Sequence, residues 1–453
     1  MQEINGRLLV LEMLLEVSKA EQRVYSHVLV RDTLDKYSYL ARQEKAFIKR
    51  LFEGTLERMI ELDYCIDCFS RTPSRQMKPV IRMILRMGVY QILYMDSVPD
   101  SAACNEAVKL AQRKGFASLK GFVNGVLRTV ARNKASITYP SLSVAYSMPE
   151  WLVSLWQEQL GEERTRRLLE GLLAEHPVTV RFRRPAAMAA DVAAVRTALE
   201  RQGGAMEEHP YLPYAYKIYK TDDITMLPGY AEGAFVVQDV SSMLAVEALG
   251  LRNAAADSLS VLDVCAAPGG KAILAADLLE AAGIAEYTVT ARDISESKVL
   301  RMRESFARCR LPRVSAQVWD ATRPDAALAG RADIVIADVP CSGLGVIGKK
   351  RDIKYRITPE AMAQVAELQE RILRTAASCL REGGRLLFST CTINQEENER
   401  HFDRIAEELK LTPVSLNDAL PECLHSETTK KGYLQLLPGI QDADGFFISV
   451  FTK

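Results

Sequence analysis

Two cysteine residues stand just past short apolar runs in the C-terminal half of the chain. Cys341 lies in ADVPCSG, three residues after Asp338, and Cys391 directly follows the run GRLLFST. A cysteine in such a position is commonly a small buried hydrophobic residue. At the carboxyl end of a strand in an α/β sheet, it can instead point into a ligand crevice. Because neighbouring strands lie about 5 Å apart, both thiols could face one crevice.

Further polar or glycine-rich positions follow the other apolar runs. The stretch DVCAAPGGK contains the pair Gly269 and Gly270, which lets the backbone approach a ligand and opens the next helix. Carboxylates follow three later runs, at Asp293, Asp320 and Asp338. One such carboxylate could be a helix N-cap, but it also suits a ribose diol. The whole series predicts a nucleoside-containing cofactor bound across a sheet.

From about residue 236, predicted strands and helices alternate, and they would position these cysteines, glycines and carboxylates. Strands are predicted at LSVLDVC, YTVTARD, VSAQVWD, ADIVIAD and GRLLFST. Helices are predicted at 270–282, 294–308, 359–380 and 395–409. Short apolar runs separated by amphipathic helices favour a doubly wound, mostly parallel α/β sheet of the Rossmann-like kind. Ligands of such sheets lie outside the carboxyl ends of the strands.

The first half of the chain has a different pattern. Residues 1 to about 135 show helical spacing throughout, as in VIRMILRMGVYQILYM at 80–95, and predict an all-α bundle. Residues 140 to about 235 combine helices with short strands and predict a small α+β unit. At this length several domains are expected. We therefore predict a multidomain protein, with domains at 1–138, 139–235 and 236–453.

Composition indicates the class of protein and the compartment in which we expect it. The hydrophobic content of 48% and charged content of 26% are those of a soluble globular protein. We find no signal peptide and no apolar run long enough for a membrane span. Nine cysteines in 453 residues do not form a disulfide framework, so we expect free thiols in the cytoplasm. Because the five histidines do not cluster in sequence, we expect no metal site.

The net charge of zero conceals a basic stretch. Between Arg71 and Lys134 there are twelve Lys or Arg residues and three Asp or Glu residues, a local charge of +9. Such a stretch indicates either a polyanion-binding surface or a solvated helix face. A second basic cluster consists of Lys349, Lys350, Arg351, Lys354 and Arg356.

A thiol beside a nucleoside cofactor suggests one reaction in particular. Carbon 5 of cytosine is a poor nucleophile, but addition of a thiolate to carbon 6 makes the ring enamine-like, so carbon 5 can attack an electrophilic methyl group. Product release then requires loss of the carbon 5 proton and expulsion of the thiolate, which a second thiol or a base would assist. A carboxyl group such as Asp338 could hydrogen-bond the N3/N4 edge of the base. The base must be single-stranded or flipped out.

The motifs of the C-terminal region occur together in a recognisable order. DVCAAPGGK, ARD, WDA, DVPCSG, FSTCT with EEN, and LPGIQDADGFFISVF resemble the RNA cytosine-5 methyltransferases of the NOL1/NOP2/Sun type, as does VVQDVSSMLAV at 236–246. The resemblance implies S-adenosylmethionine as cofactor, Cys391 as nucleophile and Cys341 as the residue assisting product release. It implies cofactor binding by Cys265, Ala266, Ala267, Pro268, Gly269, Gly270, Lys271, Asp293, Asp320 and Asp338.

The N-terminal region carries a second resemblance. Residues 84–128 are similar to the helical RNA-binding domain of the antitermination factor NusB. This domain joined to such a catalytic domain is the arrangement of a bacterial small-subunit ribosomal RNA methyltransferase. The resemblance implies that the substrate is one cytosine of 16S ribosomal RNA, either naked or in a partly assembled subunit. We expect a monomer. The sequence departs from this pattern at GKKRDIKY (348–355), which lacks a proline before the aspartate.

Other functions stay open from the residues. The RNA could be a tRNA or large-subunit ribosomal RNA, or the protein could be a catalytically silent RNA-binding assembly factor. A nicotinamide-dependent dehydrogenase is disfavoured because the chain lacks GxGxxG. A methyltransferase acting on an exocyclic amine commonly has a (D/N)PP(Y/F) loop, where this chain has DVPC.

Overall fold

The computed structural model of the protein describes residues 5–19, 25–183, 188–221 and 223–453. The chain divides into two compact units: Met1–Leu173 with Ile347–Arg356, and Ala174–Val346 with Ile357–Lys453. Neither boundary coincides with the predicted limits at 138 and 235, so the three-domain division stays a prediction. The fold class itself is confirmed, as the elements of each unit show.

The first unit is an all-α bundle, as predicted. Its helices are α1 (Gly6–Val17), α2 (Ser26–Lys36), α3 (Arg42–Glu57), α4 (Met59–Phe69), α5 (Pro79–Tyr94), α6 (Asp100–Arg113), α7 (Lys120–Asn133), α8 (Leu142–Ala145), α9 (Glu150–Leu160) and α10 (Glu162–Leu173). Helix α5 is buried along most of its length. Gly88 lets α5 approach α7 closely, because a Cβ there would lie 2.7 Å from Leu127.

Two arginines of the basic stretch form ion pairs within this bundle. The Arg86 guanidinium donates to both carboxylate oxygens of Asp63, at 2.8 and 2.6 Å. Arg82 binds the same carboxylate, with a 3.1 Å bond from Nε. Arg86 is 8% exposed. These two side chains therefore join α4 to α5, and the remaining basic residues must supply any polyanion-binding surface.

The second unit begins with a small antiparallel sheet. Its elements are β1 (Val178–Phe182), α11 (Met188–Arg201), β2 (Ala205–Glu208), β3 (Ala215–Tyr219) and β4 (Phe235–Val237), and the strand order is β2-β3-β1-β4. Arg183, just past β1, binds Asp277 with two nitrogens, at 3.0 and 2.7 Å. Arg181 binds the same carboxylate at 2.5 Å. Buried ion pairs thus tie this sheet to the helix that carries Asp277.

The large sheet of the second unit has eight strands. They are β5 (Ser258–Asp263), β6 (Glu286–Asp293), β7 (Val314–Val318), β8 (Ala332–Asp338), β9 (Leu380–Thr390), β10 (Thr412–Pro413), β11 (Tyr433–Leu436) and β12 (Phe446–Thr452). The order is β10-β12-β9-β8-β5-β6-β7, and β11 also pairs with β12. Strands β5 to β9 run parallel, whereas β10 to β12 add antiparallel pairs. The chain reverses its order between β5 and β8, which is where such sheets bind ligands.

Helices cover this sheet. They are α12 (Val240–Glu247), α13 (Gly270–Ala281), α14 (Glu296–Arg308), α16 (Pro359–Cys379), α17 (Glu399–Glu407) and α18 (Glu427–Lys431). The prediction of a helix at 395–409 was wrong at its start, because α17 begins at Glu399. Side chains of Asn394, Glu397 and Asn398 hydrogen-bond buried loops instead of facing water, and this holds the segment in a turn. Across the described ranges, no helix is long and apolar enough to span a membrane.

The short helix α15 (Ile353–Arg356) belongs to the first unit, although its sequence lies between β8 and α16. Lys354 is 2% exposed and donates to the carbonyl oxygens of Glu57 and Ser147, at 2.6 and 2.7 Å. Burial lowers the pKa of Lys354 to about 7. Asp352 accepts a 2.5 Å bond from the Ser26 hydroxyl. Lys354 of the second basic cluster and the nearby acid Asp352 therefore stabilise the bundle.

Candidate active site at the carboxyl ends of the strands

The structure brings the two predicted cysteines into contact. Cys341 follows β8, Cys391 follows β9, and these strands are parallel neighbours. The two Sγ atoms lie 3.1 Å apart, and both residues are partly exposed. The pKa of the Cys341 thiol is raised well above its usual value by its hydrogen bond with Cys391 and by burial. A thiol at Cys341 can therefore donate its proton toward the Cys391 sulfur.

Asp338 lies at the end of β8 and is held by two partners. Its Oδ2 forms an ion pair with Lys271 Nζ at 2.7 Å, and its Oδ1 accepts a 2.8 Å hydrogen bond from Ser389 Oγ. The Lys271 side chain is 9% exposed and its ammonium also lies 5.1 Å from the Phe446 ring centroid. Each carboxylate oxygen keeps a lone pair for a ligand donor. Lys271 thus connects the loop after β5 with the carboxylate after β8.

The loop after β5 is shaped by its glycines and by backbone hydrogen bonds. The Ala266 amide donates to the Arg292 carbonyl at 2.7 Å, which fixes the loop against the end of β6. Gly269 caps α13 with a φ of +101°, and a Cβ there would lie 2.9 Å from Phe306. Only glycine fits both constraints. Burial and nearby carboxylates raise the pKa of Cys265, so this third cysteine is a thiol.

Asp263, the last residue of β5, is a functional candidate that sequence reasoning missed. It is fully buried, and among the described residues neither carboxylate oxygen has a well-formed hydrogen bond. Burial raises its pKa to about 8, and the Lys271 charge opposes that rise. The charges of Asp338 and Asp293 raise it further, so the three carboxyl groups share one neighbourhood. The signal was present in the sequence, because Asp263 opens the DVCAAPGGK motif.

The remaining two predicted acids are held by their own turns. Asp293 Oδ1 accepts a 2.9 Å hydrogen bond from the Ser295 amide, and Oδ2 lies 3.5 Å from Lys298 Nζ. Ser295, not Asp293, is the N-cap of α14, so the simple capping explanation fails. Asp320 accepts bonds from the Thr322 hydroxyl and amide, at 2.7 and 2.9 Å, which lower its pKa. The contacts of Asp320 stay within its own turn, whereas the charge of Asp293 also raises the pKa of Asp263.

This donor set fits a cationic nucleoside cofactor. Three carboxyl groups meet here, and among the described residues two of them pair with an ammonium group, Asp338 with Lys271 and Asp293 with the largely exposed Lys298. Asp263 in particular is a buried acid without a well-formed bond, which a cationic group would stabilise. Asp293 ends β6, the position from which an acid can accept ribose hydroxyls. S-adenosylmethionine has both the positive charge and the ribose hydroxyls that these groups would bind.

Two further residues missed from the sequence support the cysteine loops. Gly345 donates its amide to the Cys391 carbonyl at 3.1 Å, and its own carbonyl accepts from the Gly445 amide at 2.9 Å. A Cβ on Gly345 would lie 1.9 Å from the Gly445 carbonyl oxygen, so both positions require glycine. The terminal DADGFF segment thus packs directly on the DVPCSGLG loop. Each motif alone gave no sign of this contact.

The fold and the site together define a methyltransferase that uses S-adenosylmethionine, joined to a NusB-like helical domain. A family model described as 16S rRNA methyltransferase RsmB/F matches residues 249–452, and the NusB family model matches residues 4–132. The "Probable ribosomal RNA small subunit methyltransferase B" of Bacillus subtilis (strain 168) is 33% identical over 100% of both chains. The chain belongs to the RsmB/F family of methyltransferases.

Other relatives agree with this assignment. The protein of the same name from Synechocystis is 30% identical over 99% of this chain and 100% of its own. Among solved structures, PH0851 has a TM-score of 0.77 at 21% identity and covers 100% of this chain and 99% of its own. The structure of NSun6 from Pyrococcus horikoshii with SFG has a TM-score of 0.56 at 19% identity, covering 67% of this chain and 98% of its own. These structures share the fold.

Proposed function

We propose that this protein methylates carbon 5 of one cytosine in 16S ribosomal RNA through a covalent bond between Cys391 and carbon 6 of the base. The observation that carries this proposal is the 3.1 Å contact between the Cys341 and Cys391 sulfurs, beside the strand that ends at Asp338. A methyltransferase acting on a nitrogen atom has no need of two adjacent thiols. The choice of 16S ribosomal RNA is supported by the family description and by the names of the relatives.

The first step is nucleophilic addition. The Cys391 thiolate forms a bond to carbon 6, and the electron density gained by the ring makes carbon 5 nucleophilic. The Asp338 carboxylate accepts a hydrogen bond from the N4 amino edge and holds the base in place. Bound S-adenosylmethionine supplies an electrophilic methyl group. The loop Cys265–Lys271, with Asp293, Asp320 and Asp338, holds that cofactor.

The second step releases the product. Once carbon 5 carries the methyl group, its proton is lost to water, the carbon 5–carbon 6 double bond re-forms and the Cys391 sulfur leaves as a thiolate. The Cys341 thiol, 3.1 Å away, donates a hydrogen bond to that leaving sulfur. The raised pKa of Cys341 keeps its proton in place for this role. Both sulfurs must be reduced, and a compartment such as the cytoplasm keeps them so.

The NusB-like bundle supplies the RNA-binding surface. Exposed basic side chains remain on it outside the Asp63 ion pairs, namely Arg71, Arg75, Lys78, Arg113, Lys120, Arg128 and Arg132. Contacts of such residues with phosphates give affinity that falls steeply with salt concentration. We propose that a monomer acts in this way on naked or partly assembled small-subunit RNA.

Variants of the two cysteines test the chemistry. Cys391→Ala should abolish methyl transfer and any covalent capture of RNA. Cys341→Ala should still permit attack, so a protein–RNA adduct should accumulate on a denaturing gel while turnover falls by about a hundredfold or more. An adduct that appears with Cys391→Ala and not with Cys341→Ala would reverse the two roles.

A methyl-transfer assay on unmodified RNA tests the substrate. We expect incorporation into 16S ribosomal RNA, mapped as 5-methylcytosine by bisulfite sequencing, and none into tRNA or 23S ribosomal RNA. Incorporation into another RNA would contradict the substrate assignment. No incorporation in any assembly state would favour a silent assembly factor instead. Methylation of the exocyclic N4 amine would contradict the covalent mechanism.

A further inference from the structure

Cys341 is held by side chains on both of its flanks. The Pro340 carbonyl accepts a 2.8 Å hydrogen bond from Gln369 Nε2, and the Ser342 amide donates to Glu397 Oε2 at 2.9 Å. Gln369 Nε2 also donates to Glu397 Oε2 at 2.9 Å, which joins the two contacts. The backbone before and after Cys341 is therefore fixed to one buried carboxylate and one amide.

The loop of Cys391 is held in the same manner by Asn398, the residue that follows Glu397 in the chain. The Thr390 hydroxyl donates to Asn398 Oδ1 at 2.5 Å, and Asn398 Nδ2 donates to the Thr392 carbonyl at 3.1 Å. Asn398 Nδ2 also donates to Gln435 Oε1 at 2.8 Å, which fixes the amide against β11. Both flanks of Cys391 thus bind one amide side chain.

Burial makes these contacts strong determinants of geometry. Glu397 and Asn398 are both 0% exposed. The Glu397 carboxylate accepts from three neutral donors, the third being Asn394 Nδ2 at 2.9 Å. A buried carboxylate without a cation is costly, and hydrogen bonds to a charged acceptor are the stronger kind. A role in packing alone would be served better by an apolar residue.

We propose that Glu397 and Asn398 are positioning residues that together set the separation between the two catalytic sulfurs. Glu397 fixes the loop of Cys341, Asn398 fixes the loop of Cys391, and one peptide bond joins them. The distance between the two loops is therefore set by the dipeptide that directly precedes α17 and not by the strands alone. The inference rests on the proposed function where it concerns methyl transfer, but the sulfur separation can be measured independently of it.

The affinity for a trivalent arsenical reports whether the two sulfur atoms lie close together. Phenylarsine oxide condenses with two adjacent thiols to form two arsenic–sulfur bonds and releases one water, so it binds tightly only where two sulfurs lie close together. In the intact protein, peptide mapping should place one equivalent across Cys341 and Cys391. Glu397→Gln and Asn398→Asp each replace a fitted partner by one with the wrong donor or acceptor, and each should weaken arsenical binding at least about tenfold.

Three controls make the outcome unambiguous. Glu396→Gln is the same change one residue earlier, at an exposed side chain that pairs with Arg400, and should bind the arsenical like the unmodified protein. Cys341→Ala reports arsenical bound at other cysteines. Unchanged affinity for S-adenosylmethionine shows that Glu397→Gln and Asn398→Asp still fold. If either folded variant keeps full arsenical affinity, the positioning proposal is wrong.

Methyl transfer by the same variants separates the two proposals. We expect kcat to fall with the arsenical affinity while the KM for S-adenosylmethionine stays unchanged. If the arsenical affinity falls and methyl transfer does not, the dipeptide sets the sulfur separation but the proposed two-cysteine chemistry is wrong. If the arsenical affinity is unchanged and methyl transfer falls, the loss lies elsewhere and the positioning role is refuted.

Discussion

The two halves of the site are built in opposite ways. At the ends of β6 and β7, Asp293 and Asp320 are fixed by groups two to five residues along the chain, as in the bond from the Ser295 amide. At the ends of β8 and β9, the cysteine loops are fixed by a network that reaches across the chain. Glu397 lies 55 positions from Ser342, and Asn398, which is close to Cys391 in sequence, is itself held by Gln435, 37 positions away. One half is a set of local turns, and the other is a network that forms only when the sheet is complete.

This difference has consequences for what each half tolerates. A local turn keeps most of its geometry when a neighbouring side chain is lost, because its remaining partners are nearby in sequence. A buried network behaves cooperatively, and the loss of one member leaves the others without partners. We therefore expect substitutions in the cofactor half to change affinity, and substitutions in the cysteine half to change turnover. Asp338 is bonded to both halves, through Lys271 and Ser389.

The largest effect is expected at this shared residue. Asp338→Asn removes the negative charge that pairs with the buried Lys271 ammonium and that accepts the N4 amino edge of the base, so kcat/KM should fall by roughly a hundredfold to a thousandfold. Asp333→Asn, at the opposite end of the same strand, is the matched control and should leave kcat/KM within about threefold. Steady-state methylation of RNA measures both. An equal loss in the two variants would show damage to the strand and not to the site.

A smaller effect is expected within the cofactor half. Asp293→Ala should weaken S-adenosylmethionine binding by about ten- to a hundredfold, since a buried charged acceptor is lost. Asp320→Ala should weaken it by less than about tenfold, because Asp320 is more exposed and is already committed to Thr322. Calorimetric titration gives both affinities. The arsenical affinity of the cysteines should stay unchanged in both variants, and a change in it would contradict the independence of the two halves.

A last effect concerns Asp263 and is a dependence of stability, not of turnover or affinity, on pH. Its pKa is raised from 3.8 to about 8 in the folded protein, so the folded state holds this proton more tightly than the unfolded chain does. The associated stability is complete below pH 3.8 and is lost as the pH rises toward about 8. Asp263→Asn should remove this part of the profile. Thermal unfolding of both proteins across that range tests it, and parallel profiles would refute the assignment.

Much of the fold could be predicted from the sequence because the signals were local. Alternation of apolar runs and amphipathic helices predicted five strands of the large sheet, and the bounds of ADIVIAD match β8 at both ends. The helix of residues 80–95 begins one residue early, at Pro79, which suits the first turn of a helix. The start of α17 was misplaced since NQEEN has helical composition, whereas hydrogen bonds to residues far along the chain help to hold it in a turn.

The charge pattern of the sequence likewise does not reveal which basic residues are buried. A count of basic residues cannot tell Arg86, which is buried against Asp63, from Arg128, which faces solvent. Lys354 likewise belongs to a basic cluster in the sequence and to a buried contact in the structure. Charge indicates what a segment can bind, but burial decides which of its members are available.

By itself, the sequence determined the family, the cofactor and the residue types at each strand end, because these depend on short motifs in a fixed order. The tertiary structure alone decided that Cys341 and Cys391 touch, that Asp263 is a buried acid beside Lys271, and that Glu397 and Asn398 hold the two cysteine loops. The physical reason is that a sulfur–sulfur distance of 3.1 Å depends on a network that includes hydrogen bonds between residues far apart in the chain. No local pattern records such bonds.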